Sequence, residues 1–180
     1  HDCSISTPIM WDVALMGTLV LEARVRLPAE ANRAVFIGFS DVNTDALSLE
    51  DALIHGNGTT TTLTASDLVG FHYSAEYTNA DAWHTAYNGG TSTGETTSTS
   101  IECTGEDAVA GDFQVFRVEL APNGTAFFYI DGKPAGNSAS VKASGISGAV
   151  STSVDLAAMV VVESKTTTAL TLDVDYMLVR

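Results

Sequence analysis

The stretch FQVFRVELAPNGTAFFYIDGKPAG, residues 113–136, decides the fold. In it Phe116, Val118 and Leu120 alternate with Arg117 and Glu119, the period of two that puts one face of a strand in a core and the other in water. Pro122-Asn123-Gly124 then turns the chain, Ala126, Phe128 and Ile130 resume the pattern, and Asp131-Gly132 makes a second tight turn. This is an antiparallel hairpin running into a third strand, and its apolar face requires a second sheet to pack against. No nucleophile, general base or metal cluster occurs in it.

Outward from this segment the same alternation recurs. Leu19, Leu21, Ala23, Val25 and Leu27 fall on one face and Glu22, Arg24 and Arg26 on the other. RAVFIGFSD (Arg33 to Asp41) is almost continuously apolar, as a central strand is, with Gly38 allowing a close approach, and the pair is expected to form a hairpin through Pro28. Ser48-Leu49-Glu50-Asp51 has the form of a capping box and predicts one short helix inside the long loop Val42 to Thr64. DLVGFHYS (Asp67 to Ser74) and AWHTAYN (Ala82 to Asn88) read as strands, and the Thr/Ser-rich stretch after Gly90 as an exposed edge. Asp155 to Ser164 and Ala169 to Arg180 supply two more strands. In the last, Leu170, Leu172, Val174, Tyr176 and Leu178 are expected inward, Asp173 and Asp175 outward.

About nine or ten strands with one short helix and no βαβ alternation predict an all-β, two-sheet antiparallel β-sandwich. Residues 1–180 are expected to form one domain, with segment 1–17 an arm or edge strand.

Charge and composition limit what such a sandwich binds. Twenty-two acidic residues against 8 basic ones give a formal charge of −14, a field that repels nucleic acid and anionic membranes. Hydrophobic residues reach 45% and charged ones only 17%, which excludes a disordered acidic tail. No apolar run approaches the roughly 20 residues of a membrane span. Cys3 and Cys103 are too few for a zinc framework; a disulfide and two separate thiols both fit the spacing.

FRVELAPNGTAFFYIDGKPAG followed by LTLDVDYMLVR resembles the back half of a concanavalin A-like jelly roll, the lectin and glucanase sandwich. VFIGFSD, GFHYS and AWHTAYNGG are similar to jelly-roll domains of tailed-bacteriophage structural proteins. The resemblance implies a non-enzymatic capsid decoration protein on the virion surface. It would bind the major capsid protein, stabilise the shell and assemble as a homo-oligomer. The alternative is a carbohydrate-binding, lectin-like module of a secreted protein or viral adhesin.

Candidate chemistry is sparse. Glucanases of this fold carry E-x-D-x-x-E, whose paired carboxylates serve retaining hydrolysis, and the motif is missing here, so no catalytic residue is assigned. Asp173 and Asp175 share a strand face, as two surface acids also would. Sugar binding needs aromatic faces with amide or carboxylate partners. Tyr73, Tyr77, Trp83 and Tyr87, with Asn79, Asp81 and Asn88, form the densest such group, although the face shared by Trp83 and Tyr87 serves a core equally well. Asp41, Asn43 and Asp45 begin like a calcium loop that Ala46 and Ala52 then break, leaving a looser calcium site as the one cofactor expectation.

Overall fold

A computed structural model describes residues 2–92, 94 and 96–180. In chain order the first strands are β1 Asp2–Ser6, β2 Trp11–Asp12, β3 Leu19–Arg26, β4 Arg33–Ser40, β5 Ile54–Asn57, β6 Thr60–Leu63, β7 Leu68–Ser74 and β8 Ala82–Asn88. They continue as β9 Glu102–Asp107, β10 Phe113–Leu120, β11 Ala126–Ile130, β12 Lys133–Pro134, β13 Asp155–Ser164 and β14 Asp173–Val179. A π-helical turn spans Leu49–Leu53, and two short helices are α1 Ser98–Ile101 and α2 Ala139–Ser144.

The quoted stretch folds as its turns require. β10 pairs with β11 from Phe116–Ile130 to Leu120–Ala126, and β11 with β12. The Asn123 carboxamide accepts from the Thr125 amide, Gly124 has φ +78°, and Asp131 at φ +50° accepts from the Val115 amide with its carboxylate.

The chain makes two antiparallel sheets, one of five strands in the order β12-β11-β10-β3-β14, the other of seven in the order β1-β13-β4-β7-β8-β9 with β2 also on β13. Between them lies a core in which Trp83, Phe71, Phe116 and Phe128 meet edge-on or tilted, with ring centroids 4.3 to 5.5 Å apart. Each such side chain contributes about 1.5–3 kcal/mol by its burial. The all-β antiparallel sandwich expected from the sequence is therefore the fold.

Two local expectations change. β3 and β4 do not form a hairpin: β3 lies between β10 and β14, β4 between β13 and β7, so Pro28 to Asn32 carries the chain from one sheet to the other. In β14 the register shifts between Val174 and Tyr176, and the extra residue of this bulge reverses the alternation. Met177 and Val179 then pack on the core, while Tyr176 and Leu178 face solvent.

The outer face of the seven-stranded sheet is covered too. The π turn and the β5–β6 hairpin lay Leu49, Leu53 and Ile54 over Phe36, Met159 and Val161, forming a second core. Ser48 caps the turn by accepting from the Asp51 amide, as the sequence predicts. Beneath it Gly38 and Gly70 oppose each other on β4 and β7, where a Cβ on Gly38 would stand 2.2 Å from the Val69 carbonyl oxygen.

Candidate functional site

The structure brings most of the predicted aromatic group together, but inside the protein. Tyr73 and Trp83 point between the sheets and are wholly buried, and Tyr87 lies in the same core at 9% exposure. Trp83 donates its indole N–H to the Gln114 side-chain carbonyl at 3.1 Å, and Gln114 donates to the Asp107 carbonyl, so the ring is fixed as core. Tyr77, at 3% exposure, tucks under the β5–β6 hairpin, and Asn88 donates to the Ala65 carbonyl. No aromatic face of this set is left open for a sugar ring, which corrects that expectation.

Of the calcium candidates, Asp41 carries a buried carboxylate oxygen that meets no hydrogen-bond partner among the described residues. Asn43 accepts from the Ser6 hydroxyl and donates to the Thr7 carbonyl, pinning the N-terminal segment, while Asp45 is exposed. Asp173 and Asp175 do not form a carboxylate pair, for Arg26 holds the first at 2.6 Å and Arg24 the second at 2.7 Å. Cys3 is exposed, Cys103 is buried, and they are not joined; burial pushes the Cys103 thiol well up.

Two histidines gain a role that the sequence did not reveal. His72 and His84 are directly opposed on β7 and β8, both wholly buried on the outer sheet face. Tyr77 lies over them, its ring 4.2 Å from the His84 ring and its hydroxyl 3.1 Å from His72 Nδ1 and 2.8 Å from the Thr61 hydroxyl. Among the described residues His72 Nε2 meets no hydrogen-bond partner. Desolvation lowers both, His84 to about 4, so both are neutral at physiological pH.

Beside this layer is a charged cluster. His55 Nε2 stands 3.2 Å from a Glu50 carboxylate oxygen and 3.4 Å from one of Glu76. The Lys165 ammonium reaches the same two oxygens, at 2.8 Å for Glu76, with its side chain only 7% exposed. Burial lowers Lys165 to about 8. Behind them, Glu163 accepts from the Glu50 amide and Asp2 from the Leu49 amide, and burial raises Glu163 to about 7, with Asp2 adding to the rise.

The cluster borders a cleft of about 940 Å³ at one end of the sandwich. The crossover Pro28–Asn32 and the β7–β8 loop form its walls. Glu30, Asn32, Glu76, Thr78, Asn79 and Asp81 supply polar groups to its lining, and alanines such as Ala29, Ala75 and Ala110 apolar ones. The Tyr73 hydroxyl reaches this rim and donates to the Glu30 carbonyl. Thus Asn79 and Asp81 of the predicted group line the cleft, while Asn88 is tied to Ala65 and the aromatic members are buried.

No protein-family model and no curated protein matches the chain. Among solved structures, the carbohydrate recognition domain of Emp46p in its potassium-bound form superposes with a TM-score of 0.61 at 12% identity, over 99% of this chain and 77% of that one. An alginate lyase from Pseudomonas aeruginosa gives a TM-score of 0.49 at 14% identity, over 95% of this chain and 67% of the lyase. Trypanosoma rangeli sialidase gives 0.49 at 16% identity, over 91% of this chain and only 20% of the sialidase. The likeness to the Emp46p domain is one of fold: this chain has the concanavalin A-like, lectin-type sandwich.

Proposed function

We propose that the chain is a non-enzymatic carbohydrate-binding module that takes a sugar in the cleft between Pro28–Asn32 and the β7–β8 loop. The observation that carries this reading is the convergence there of Asn32, Thr78, Asn79 and Asp81 beside small alanine side chains, the amide, hydroxyl and carboxylate set that pairs with sugar hydroxyls. The fold shared with a carbohydrate recognition domain supports it. So does the missing E-x-D-x-x-E motif, the strand signature that supplies the carboxylates of retaining hydrolysis in glucanases of this fold. On a glycan array the parent protein should bind, and Asn79→Ala and Asp81→Ala should each lose about 1–3 kcal/mol of affinity while melting like the parent. An array without signal for the parent, or mutants that bind as it does, overturns the reading.

A second reading, a virion-surface structural role with capsid protein and copies of itself as partners, rests on a different feature. Ile5, Ile9, Met10, Leu15 and Met16 are exposed along the first strands, Leu15 by 83%, and every residue of β1 is exposed. In sedimentation the parent should then self-associate and an Ile5→Lys, Leu15→Lys double variant should not; a parent that stays monomeric at high concentration removes the homo-oligomeric part of this reading.

A further inference from the structure

We propose that Glu50, His55 and Glu76 form a binding site for one divalent transition ion, zinc first among them, on the edge of the cleft. Three separate segments deliver the donors: the π turn carries Glu50, β5 carries His55, and the loop after β7 carries Glu76. Their ligand atoms all lie within 4.8 Å of one another, and the imidazole nitrogen is 3.2 and 3.4 Å from the two carboxylate oxygens. A tetrahedral ion with bonds of about 2.1 Å has edges of about 3.4 Å between its ligands, so one ion fits with little movement of these side chains.

The donor set also selects the class of ion. One imidazole and two carboxylates suit zinc and its first-row neighbours; calcium takes six to eight oxygens and disfavours imidazole. This distinguishes the cluster from a solvated acidic patch, as does Lys165. Its ammonium, almost wholly buried, rests on the same two oxygens, so the fold already places a cation where these carboxylates meet. Zinc would compete with that ammonium. Lys165 also lines the cleft, which gives its long side chain a place to go when displaced.

The site does not depend on the sugar-binding reading, and titration calorimetry with zinc chloride tests it alone. Cys3, an exposed thiol, is replaced by serine in every protein compared so that it does not compete. The parent should bind one zinc, and calcium and magnesium chloride should give no comparable heat. Lys165→Met, which removes the competing charge, should bind roughly tenfold tighter or more. His55→Ala and Glu76→Gln, each at positions more than a third exposed and so tolerant of change, should each weaken binding by at least about tenfold, the low end of what even outer-shell losses cost. Zinc binding that survives both substitutions unchanged belongs to another part of the chain and overturns the proposal. No binding by the parent overturns it as well, and binding by Lys165→Met alone would mean that the ammonium holds the position against zinc in the native chain.

Discussion

Three side chains show how single residues set the limits of this protein. His72 and His84 are buried neutral: Tyr77 faces both rings, Thr61 reaches them through the Tyr77 hydroxyl, and His55 adds a further repulsion to a charged His72. Glu102, paired with His84 across β8 and β9, is half-buried at the rim. A histidine with a lowered folded value binds fewer protons folded than unfolded, so its stabilisation is complete above about 6.5 and is lost as pH falls toward and through about 4. Melting temperature should therefore decline across that window, and His84→Gln should flatten the decline; equal slopes in parent and variant would assign the acid sensitivity elsewhere. The histidines were visible in the sequence, but their burial was not. β7 and β8 are covered on both faces, so their alternation gives no sign of which face is the main core. For the same reason Tyr73, Trp83 and Tyr87 were legible as partners on one side of a sheet, yet not as interior rather than platform. Asn79 and Asp81 sit in a loop, free of that ambiguity, and they reached the cleft.

At the scale of elements, turns were the most legible part. Asn123-Gly124, Asp131-Gly132 and the Ser48 cap act within a few residues, and each is realised where its local chemistry puts it. What local pattern does not carry is partnership. β3 alternates identically whether its neighbour is β4 or β10, and nothing before Asp175 signals the bulge that turns Tyr176 and Leu178 outward. The hairpin over the second core depends on one close contact of this non-local kind. A Cβ on Gly56 would stand 2.2 Å from the Tyr77 ring, and the Gly56 carbonyl accepts from the buried Ser74 hydroxyl at 2.8 Å. Gly56→Ala should push Tyr77 off its seat at a cost of about 1–3 kcal/mol. Proteolysis at the Asn57–Thr60 turn should accelerate with it, while an unchanged cleavage rate would show that the hairpin is held by other contacts.

For the whole molecule, the acidic surface and the sealed sheet act together. A charge of −14 surrounds a seven-stranded sheet covered on both faces, and the cleft and the charged cluster lie at its rims and loops. That same covering also divides the route by which the protein comes apart. The layer over the outer face packs with a much smaller set of side chains than fills the space between the sheets, so it lifts first, as a cooperative unit of its own. What it leaves behind is a sandwich still closed around Trp83 but newly bare over Phe36, Leu68 and Met159. On heating, binding of an apolar dye should therefore rise before the fluorescence of buried Trp83 changes, and simultaneous transitions would show that the two layers open together.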